Sequence, residues 1–471
     1  MRDNMRKIEK VVKRQWGMVL AILFTVHCSL FVSPAGAQTA LTLFDEATFY
    51  DGYLFSRNPD SLVQDGILRH STSLYAVRLT DEQIAQIGDS LQMKVNVRAC
   101  CDNYDRIGNI NLAFVPKGQA AYLPDSVQRI ELGRFITPFM NKNKLPDVVP
   151  YDYDISYVSH ILRDASILRQ NDIWVEFELF GVPYAANTQV AGCAGRSDVF
   201  KGTLVFETTT PALPRTERNV LVPIVMKKNE ARGHNLNNYS EAGTDTIGLT
   251  TKTYTFDVPC DVADGQLVIV TSNHGANSGG EEYNRRWHYI YLDDALVLTY
   301  KPGRTSCEPF RKYNTQSNGI YGLIKRSDAA WQSFSNWCPG DVIDNRIVGV
   351  GAFKAGRHKV RISVPEAVFQ DKQGDIPVSI FFQGLTEGQL VPAAISSPVV
   401  GSSGVSIGIV DGQLSAAARD EVLNIDVYDL QGKHLLHSSS PTLSLQRLPH
   451  SLYLVHVELA SGLVETHKVK Y

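Results

Sequence analysis

Along most of the chain, apolar residues recur at every second position. Leu91, Met93, Val95, Val97 and Ala99 are separated by Gln92, Lys94, Asn96 and Arg98, the pattern of a strand with one buried face. Ile173, Val175, Phe177 and Leu179 repeat it with Trp174, Glu176 and Glu178 on the opposite face, and Val360, Ile362 and Val364 do so later. Helical spacing is confined to two short stretches, 81–87 and 154–166. Strands broken by Gly, Pro, Asn and Asp clusters, without alternating helices, predict an all-β protein of antiparallel sandwiches rather than a βαβ fold.

Two composition shifts divide the strand-rich chain. The polar, proline-marked stretch 208–214 (TTTPALP) reads as a connection between domains. The Ser/Gly/Pro-rich stretch 396–406 is the second break. The expected units are a leader over 1–37, sandwiches over 38–210 and 211–390, a linker over 391–405 and a small module over 406–471.

The leader follows from charge and hydropathy at the start. Arg2, Arg6, Lys7, Lys10, Lys13 and Arg14 precede an apolar run over 18–32 and then Ala35-Gly36-Ala37, the order of a secretory signal cut before Gln38. The run is shorter than the roughly 20 residues that span a bilayer, and no later segment approaches it, so a soluble mature protein is expected. Removing 1–37 takes six basic and two acidic residues, leaving 40 against 47 and a net charge of about −7. Nucleic acid is therefore not an expected partner. Cys28 leaves with the leader. Cys100, Cys101, Cys193, Cys260, Cys307 and Cys338 remain in a compartment that permits disulfides, and the residues alone do not choose among their pairings.

Two acidic neighbourhoods sit at strand ends. Cys100-Cys101-Asp102-Asn103-Tyr104-Asp105-Arg106 follows the strand 91–99, and residues 274–287 (HGANSGGEEYNRRW) precede another. Carboxylates beside aromatics suit a carbohydrate site, since aromatic faces stack on sugars and carboxylates bond hydroxyls or activate water. The same residues also read as solvated ion-pair clusters at loop ends.

Three separated segments resemble the peptide-N-glycosidase F family, amidases that release N-glycans from asparagine. They are CDNYDR at 101–106, GRFITPF at 133–139 followed by Lys144-Leu145-Pro146, and Trp337-Cys338-Pro339-Gly340, and the likeness spans about 40–385. The resemblance implies two tandem eight-stranded antiparallel jelly rolls. It also implies Asp105 as principal catalytic aspartate, Glu178 as a supporting glutamate, and Glu282 as the glutamate between the domains, with Glu281 its competitor. Arg106, Glu281, Tyr104, Trp337 and His274 are expected to bind substrate. A disulfide between Cys307 and Cys338 is implied too, leaving Cys100, Cys101, Cys193 and Cys260 unassigned. Neither a cofactor nor a metal is expected. The sequence departs from the family pattern where Gly280 and Asn284 replace cysteines flanking the interdomain glutamate, where Phe334 replaces an arginine, and where no cysteine lies at the expected distance upstream of Cys101.

Over the last 65 or so residues, VYDLQGK, LPHSLYLVHV and then Ser461-Gly462 before THKV resemble the C-terminal sorting domain of the type IX secretion system, a small Ig-like β-sandwich. An ordinary accessory sandwich is the plainer alternative. The expectation is an amidase acting on N-glycoproteins, secreted or on the outer-membrane surface, monomeric, with the type IX machinery as its export partner. A non-catalytic glycan- or glycoprotein-binding protein on the same scaffold is the alternative. A copper monooxygenase would need clustered histidines with a methionine, whereas His70, His160, His234, His274, His288 and His358 are scattered.

Overall fold

A computed structural model describes residues 38–54, 63–209, 219–227, 250–275, 280–317, 320–333, 336–367, 374–388, 390, 405–410, 412–417, 421–429, 433–449, 451–460 and 464–471. The leader, the connection after Thr209, His234, Phe334, the linker up to residue 404, Leu430 to Gly432 and Ser461-Gly462 lie outside these residues.

Nine strands build the first sandwich: β1 Gln38–Tyr50, β2 Leu68–Arg69, β3 Leu74–Arg78, β4 Leu91–Ala99, β5 Ile107–Pro116, β6 Gln128–Ile136, β7 Val148–Asp154, β8 Asn171–Leu179 and β9 Asp198–Thr209. One sheet runs β1-β9-β4-β7 and the other β6-β5-β8-β3-β2, all neighbours antiparallel. The alternation in β4 does what it predicts: Leu91, Met93, Val95, Val97 and Ala99 are all buried in the core between the sheets. Leu91, Met93, Val95 and Val97 each contribute roughly 1.5–3 kcal/mol when fully buried.

The second sandwich uses β10 Asn219–Val225, β11 Thr251–Val258, β12 Val262–Thr271, β13 His288–Leu292, β14 Ala295–Tyr300, β15 Val342–Ile343, β16 Arg346–Phe353, β17 Gly356–Ser363 and β18 Val378–Leu385. Its sheets are β10-β18-β12-β16 and β11-β17-β13-β14, while β15 leaves the sandwich and pairs with β6 of the first. The C-terminal module is a smaller two-sheet sandwich of β19 Ser406–Val410, β20 Gln413–Ala417, β21 Val422–Tyr428, β22 His434–Ser438, β23 Thr442–Ser444, β24 Leu452–Leu459 and β25 Val464–Lys470, closed around Leu414, Ile425, Val427, Tyr453, Val455 and Val457. Among the described residues no helix is long and apolar enough to cross a membrane.

The first expected helix forms over Asp81–Gln86, started by Thr80, whose hydroxyl accepts the Gln83 N–H while the Gln83 side chain accepts the Thr80 N–H. The second expected helix, 154–166, does not form as one. A single 3-10 turn covers Ser156–Val158, and the α-helix begins later, over Ala165–Gln170, where the Asp164 carboxylate accepts the Ser166 and Ile167 N–H groups. Asp154 bonds the Ser156 N–H instead of continuing a helix.

The two large sandwiches meet along a packed, hydrogen-bonded seam. Val268 and Phe381 of the second join the core cluster of the first. Asn345 donates to the Leu132 carbonyl at 2.6 Å and to the Tyr157 hydroxyl at 2.9 Å, and Gln383 donates to the Tyr157 carbonyl at 2.9 Å. Arg134 is fully buried there. It pairs bidentately with Glu131 at 2.8 Å and donates to the Ser272 hydroxyl and the Pro377 carbonyl, both at 2.9 Å. The preceding Gly133 has no alternative, since a Cβ there would lie 2.7 Å from the Tyr153 ring, whose hydroxyl bonds the Arg134 carbonyl.

Candidate active site

The loop between β4 and β5 carries the first acid and is fixed at nearly every residue. A disulfide joins Cys101 to Cys193. The buried Asp102 carboxylate accepts the Tyr104 N–H at 2.9 Å, the Val182 N–H at 2.7 Å and the Arg106 Nε–H at 2.7 Å. Thr137 holds the loop from the other side: its hydroxyl accepts the Arg106 N–H at 2.8 Å and donates to the Tyr104 carbonyl at 3.1 Å. Asp105 is thereby clamped between two anchored neighbours, with one carboxylate oxygen buried and without a hydrogen-bond partner. Tyr104 stays exposed, its ring 5.7 Å from Phe139 and under the Arg106 guanidinium.

The second acid sits on the loop after β12. Glu281 and Glu282 point to different places. Glu281 is buried and paired bidentately with Arg286 at 2.9 and 3.2 Å, so it braces the loop. Glu282 shares a hydrogen bond with the Tyr283 side chain and accepts the Gly275 N–H at 3.3 Å. The loop is closed by Asn284, which donates to the Gly280 carbonyl at 2.8 Å, and by Asn336, which donates to the Glu282 carbonyl. Gly275 has φ of +106° and lies against Gly374, a close approach that a side chain would block.

The two loops converge electrostatically. Burial, and after it the negative charge of Glu282, push the Asp105 carboxyl up to about 7, while Arg106 pulls the other way. Burial likewise raises Glu282, with Arg106 again opposing. The charge of Glu282 thus acts on Asp105, 177 positions away along the chain, and the Arg106 guanidinium acts on both.

Glu178, at the end of β8, lies beside the seam. It pairs with the buried Lys227 ammonium at 3.2 Å, and Lys227 in turn feels Glu131 and Arg134. Burial foremost, then the charges of Arg134 and Lys227, hold His274 neutral with its pKa near 3; its Nε2 lies 2.7 Å from the Ser272 hydroxyl. Trp337, expected to bind substrate, is buried; its indole N–H donates to the Asn273 carbonyl at 2.8 Å, and its ring packs 5.8 Å from His274. A second disulfide joins Cys307 to Cys338, while Cys100 is a buried thiol and Cys260 an exposed one. Among the described residues no group of three or more His, Cys, Asp or Glu is arranged to hold a metal.

Comparison with known families gives this architecture its kinship. Residues 41–194 match Peptide-N-glycosidase F, N terminal, and residues 239–383 match Peptide-N-glycosidase F, C terminal. The chain belongs to the peptide-N-glycosidase F family. A structure of PNGF-II is similar at 18% identity and a TM-score of 0.54, over 75% of this chain and 66% of that one; a second crystal form of PNGF-II gives 18% and 0.51 over 74% and 65%. PNGase F, a glycosylasparaginase from Flavobacterium meningosepticum, matches at 16% and 0.47 over 75% and 98%. The chain spans just under two thirds of the PNGF-II structures' length. No curated protein sequence matches it.

Within the peptide-N-glycosidase F frame, two of the departures noted in the sequence have local explanations. Gly280 and Asn284, standing where cysteines were expected, are joined by the Asn284 hydrogen bond. Cys101 finds its partner downstream at Cys193. Sequence reasoning passed over Asp102 and Thr137, which orient the Asp105 segment, although both lie inside the quoted motifs. Lys227 carried no sequence signal, because its significance comes only from burial beside Glu178.

Proposed function

We propose that the chain is a glycosylasparagine amidase, hydrolysing the amide between an N-linked glycan and asparagine to leave aspartate in the peptide and release a glycosylamine that decays to free glycan. What supports the reading is the electrostatic influence of Glu282 on Asp105, one acid from each sandwich, with the Asp105 carboxyl pushed up to about 7 by burial and then by that charge. A base with its pKa near the working pH combines enough ionised form with enough driving force for proton transfer, a contribution of about 10²- to 10⁴-fold.

Asp105 takes a proton from water as the oxygen attacks the amide carbon. Arg106, oriented by Asp102, steadies the carbonyl oxygen as it gains charge. The carbon–nitrogen bond then breaks and the proton passes to the departing nitrogen. Glu282, anchored by Tyr283 and Gly275, holds the water or a hydroxyl of the first sugar. Tyr104 offers an exposed aromatic face beside Arg106. Glu178 supports the seam through Lys227, and His274 fixes the start of the acidic loop.

The test is incubation with a denatured N-glycoprotein, read for glycan release and the one-unit mass gain of Asn becoming Asp. Asp105→Asn should abolish release with the fold intact. Release without the mass gain would mean cleavage between sugars, and retained glycan binding without release would favour a lectin-like protein. The N-terminal charge-then-apolar pattern and the C-terminal sandwich support export, with the last module as a type IX sorting unit. A secreted species starting at Gln38 and lacking that module would bear this out; an intact chain retained in the cell would count against it.

A further inference from the structure

The segment closed by the Cys307–Cys338 disulfide ends in an apolar tip: Leu323 and Ile324 are exposed at 105% and 85%. Two adjacent large aliphatic side chains held out in water at one tip are available to an apolar partner. The tip is fixed by its base. Arg311 donates to the carbonyls of Tyr321 and Gly322, and Glu308 holds Arg311 through both carboxylate oxygens while accepting the Arg326 N–H at 2.9 Å and the Trp331 indole N–H at 3.1 Å. The Arg326 guanidinium lies over the Trp331 ring and its Nε–H donates to the Ile320 carbonyl at 2.9 Å. Both ends of the four residues 322–325 are therefore clamped.

The same base reaches both acids. Ile320, Tyr321 and Trp331 share a buried cluster with Phe139, and Tyr283 packs against it. Phe139 meets Tyr104, next to Asp105, and Tyr283 hydrogen-bonds Glu282. Leu323 is two residues from Tyr321, no more than about 7 Å of extended chain. Two branched aliphatics have no donor or acceptor for sugar hydroxyls, so the glycan is not their natural occupant.

We propose that Leu323 and Ile324 form a peptide-side subsite for apolar side chains flanking the glycosylated asparagine. The identity of the substrate rests on the amidase reading, and the subsite concerns its polypeptide arm.

The experiment uses two dye-labelled glycopeptides bearing the same N-glycan, one with Leu and Phe beside the asparagine and one with Ser and Gly, bound to the Asp105→Asn protein and read by fluorescence anisotropy. The apolar peptide should bind about tenfold more tightly. Leu323→Ser with Ile324→Ser should reduce that preference to within twofold, leaving the Ser/Gly peptide's Kd and the melting temperature unchanged. Equal Kd values for the two peptides, or a preference that survives the double substitution, would overturn the proposal. So would a double variant that loses binding to phosphatidylcholine/phosphatidylglycerol vesicles while keeping the peptide preference, since the tip would then serve a lipid surface. Glycan release by the unsubstituted chain, measured separately, distinguishes the readings: a Kd preference without release sinks the amidase and leaves the subsite standing.

Discussion

Replacing Asp105 by asparagine removes a charge that the fold opposes. Burial, then the Glu282 charge, move the carboxyl from 3.8 to about 7 on folding. Over that interval the native state retains a proton that the unfolded chain has released, so stability declines as pH rises from about 4 and levels off above about 7. Three pH units at ~1.36 kcal/mol each amount to ~4 kcal/mol. Asparagine carries no charge at any pH. The Asp105→Asn protein should therefore match the parent near pH 4 and exceed it by up to ~4 kcal/mol at pH 8, a rise in melting temperature on the order of 10 °C for a sandwich of this size. Calorimetry at the two pH values reads this directly. A variant no more stable than the parent at pH 8, or equally stabilised at both, would refute the claim that the fold resists ionisation of Asp105. Glycan release should vanish in the same samples, so stability and activity move in opposite directions.

Glu282→Gln removes the charge that raises Asp105, so any residual kcat/KM should have its acidic limb at lower pH; an unmoved limb would uncouple the two acids. Lys227→Met strands the Glu178 carboxylate in the seam and should destabilise by about 3–5 kcal/mol, most of it recovered by adding Glu178→Gln, as chemical denaturation would show. Removing the Cys307–Cys338 disulfide by a double serine substitution opens a closed segment with a separation of 31 residues and should lower stability by about 3–4 kcal/mol in the chain-entropy account; an unchanged denaturation midpoint would contradict that.

Alternation alone made the all-β class legible, because a strand with one core-facing side must repeat every second residue. It was less informative where both faces are covered. Glu176 and Glu178 read as the wet side of β8, yet both are buried. Arg129 and Tyr122 cover Glu176, and Lys227 from the other sandwich covers Glu178. Such covers come from residues about 50 positions away and leave no periodic trace. The motif GRFITPF was visible as a resemblance, but its chemistry emerges only in space: Gly133 clears Tyr153, Arg134 locks the seam, Thr137 pins the Asp105 loop and Phe139 backs Tyr104. Sequence order left Glu281 and Glu282 as competitors, and their different surroundings, with Arg286 engaging Glu281, appear only in space.

The short strand β15 has a consequence for how the protein is born. It supplies the neighbour of β6 at Phe135 and Arg134, yet it is translated some 200 residues later. At about 5–20 residues per second, that leaves the first sandwich with an uncapped edge for roughly 10–40 s. Throughout that interval Asp105 has been made while β15, and for most of the time the loop of Glu282, has not, so the candidate site cannot assemble until the second sandwich is largely out of the ribosome.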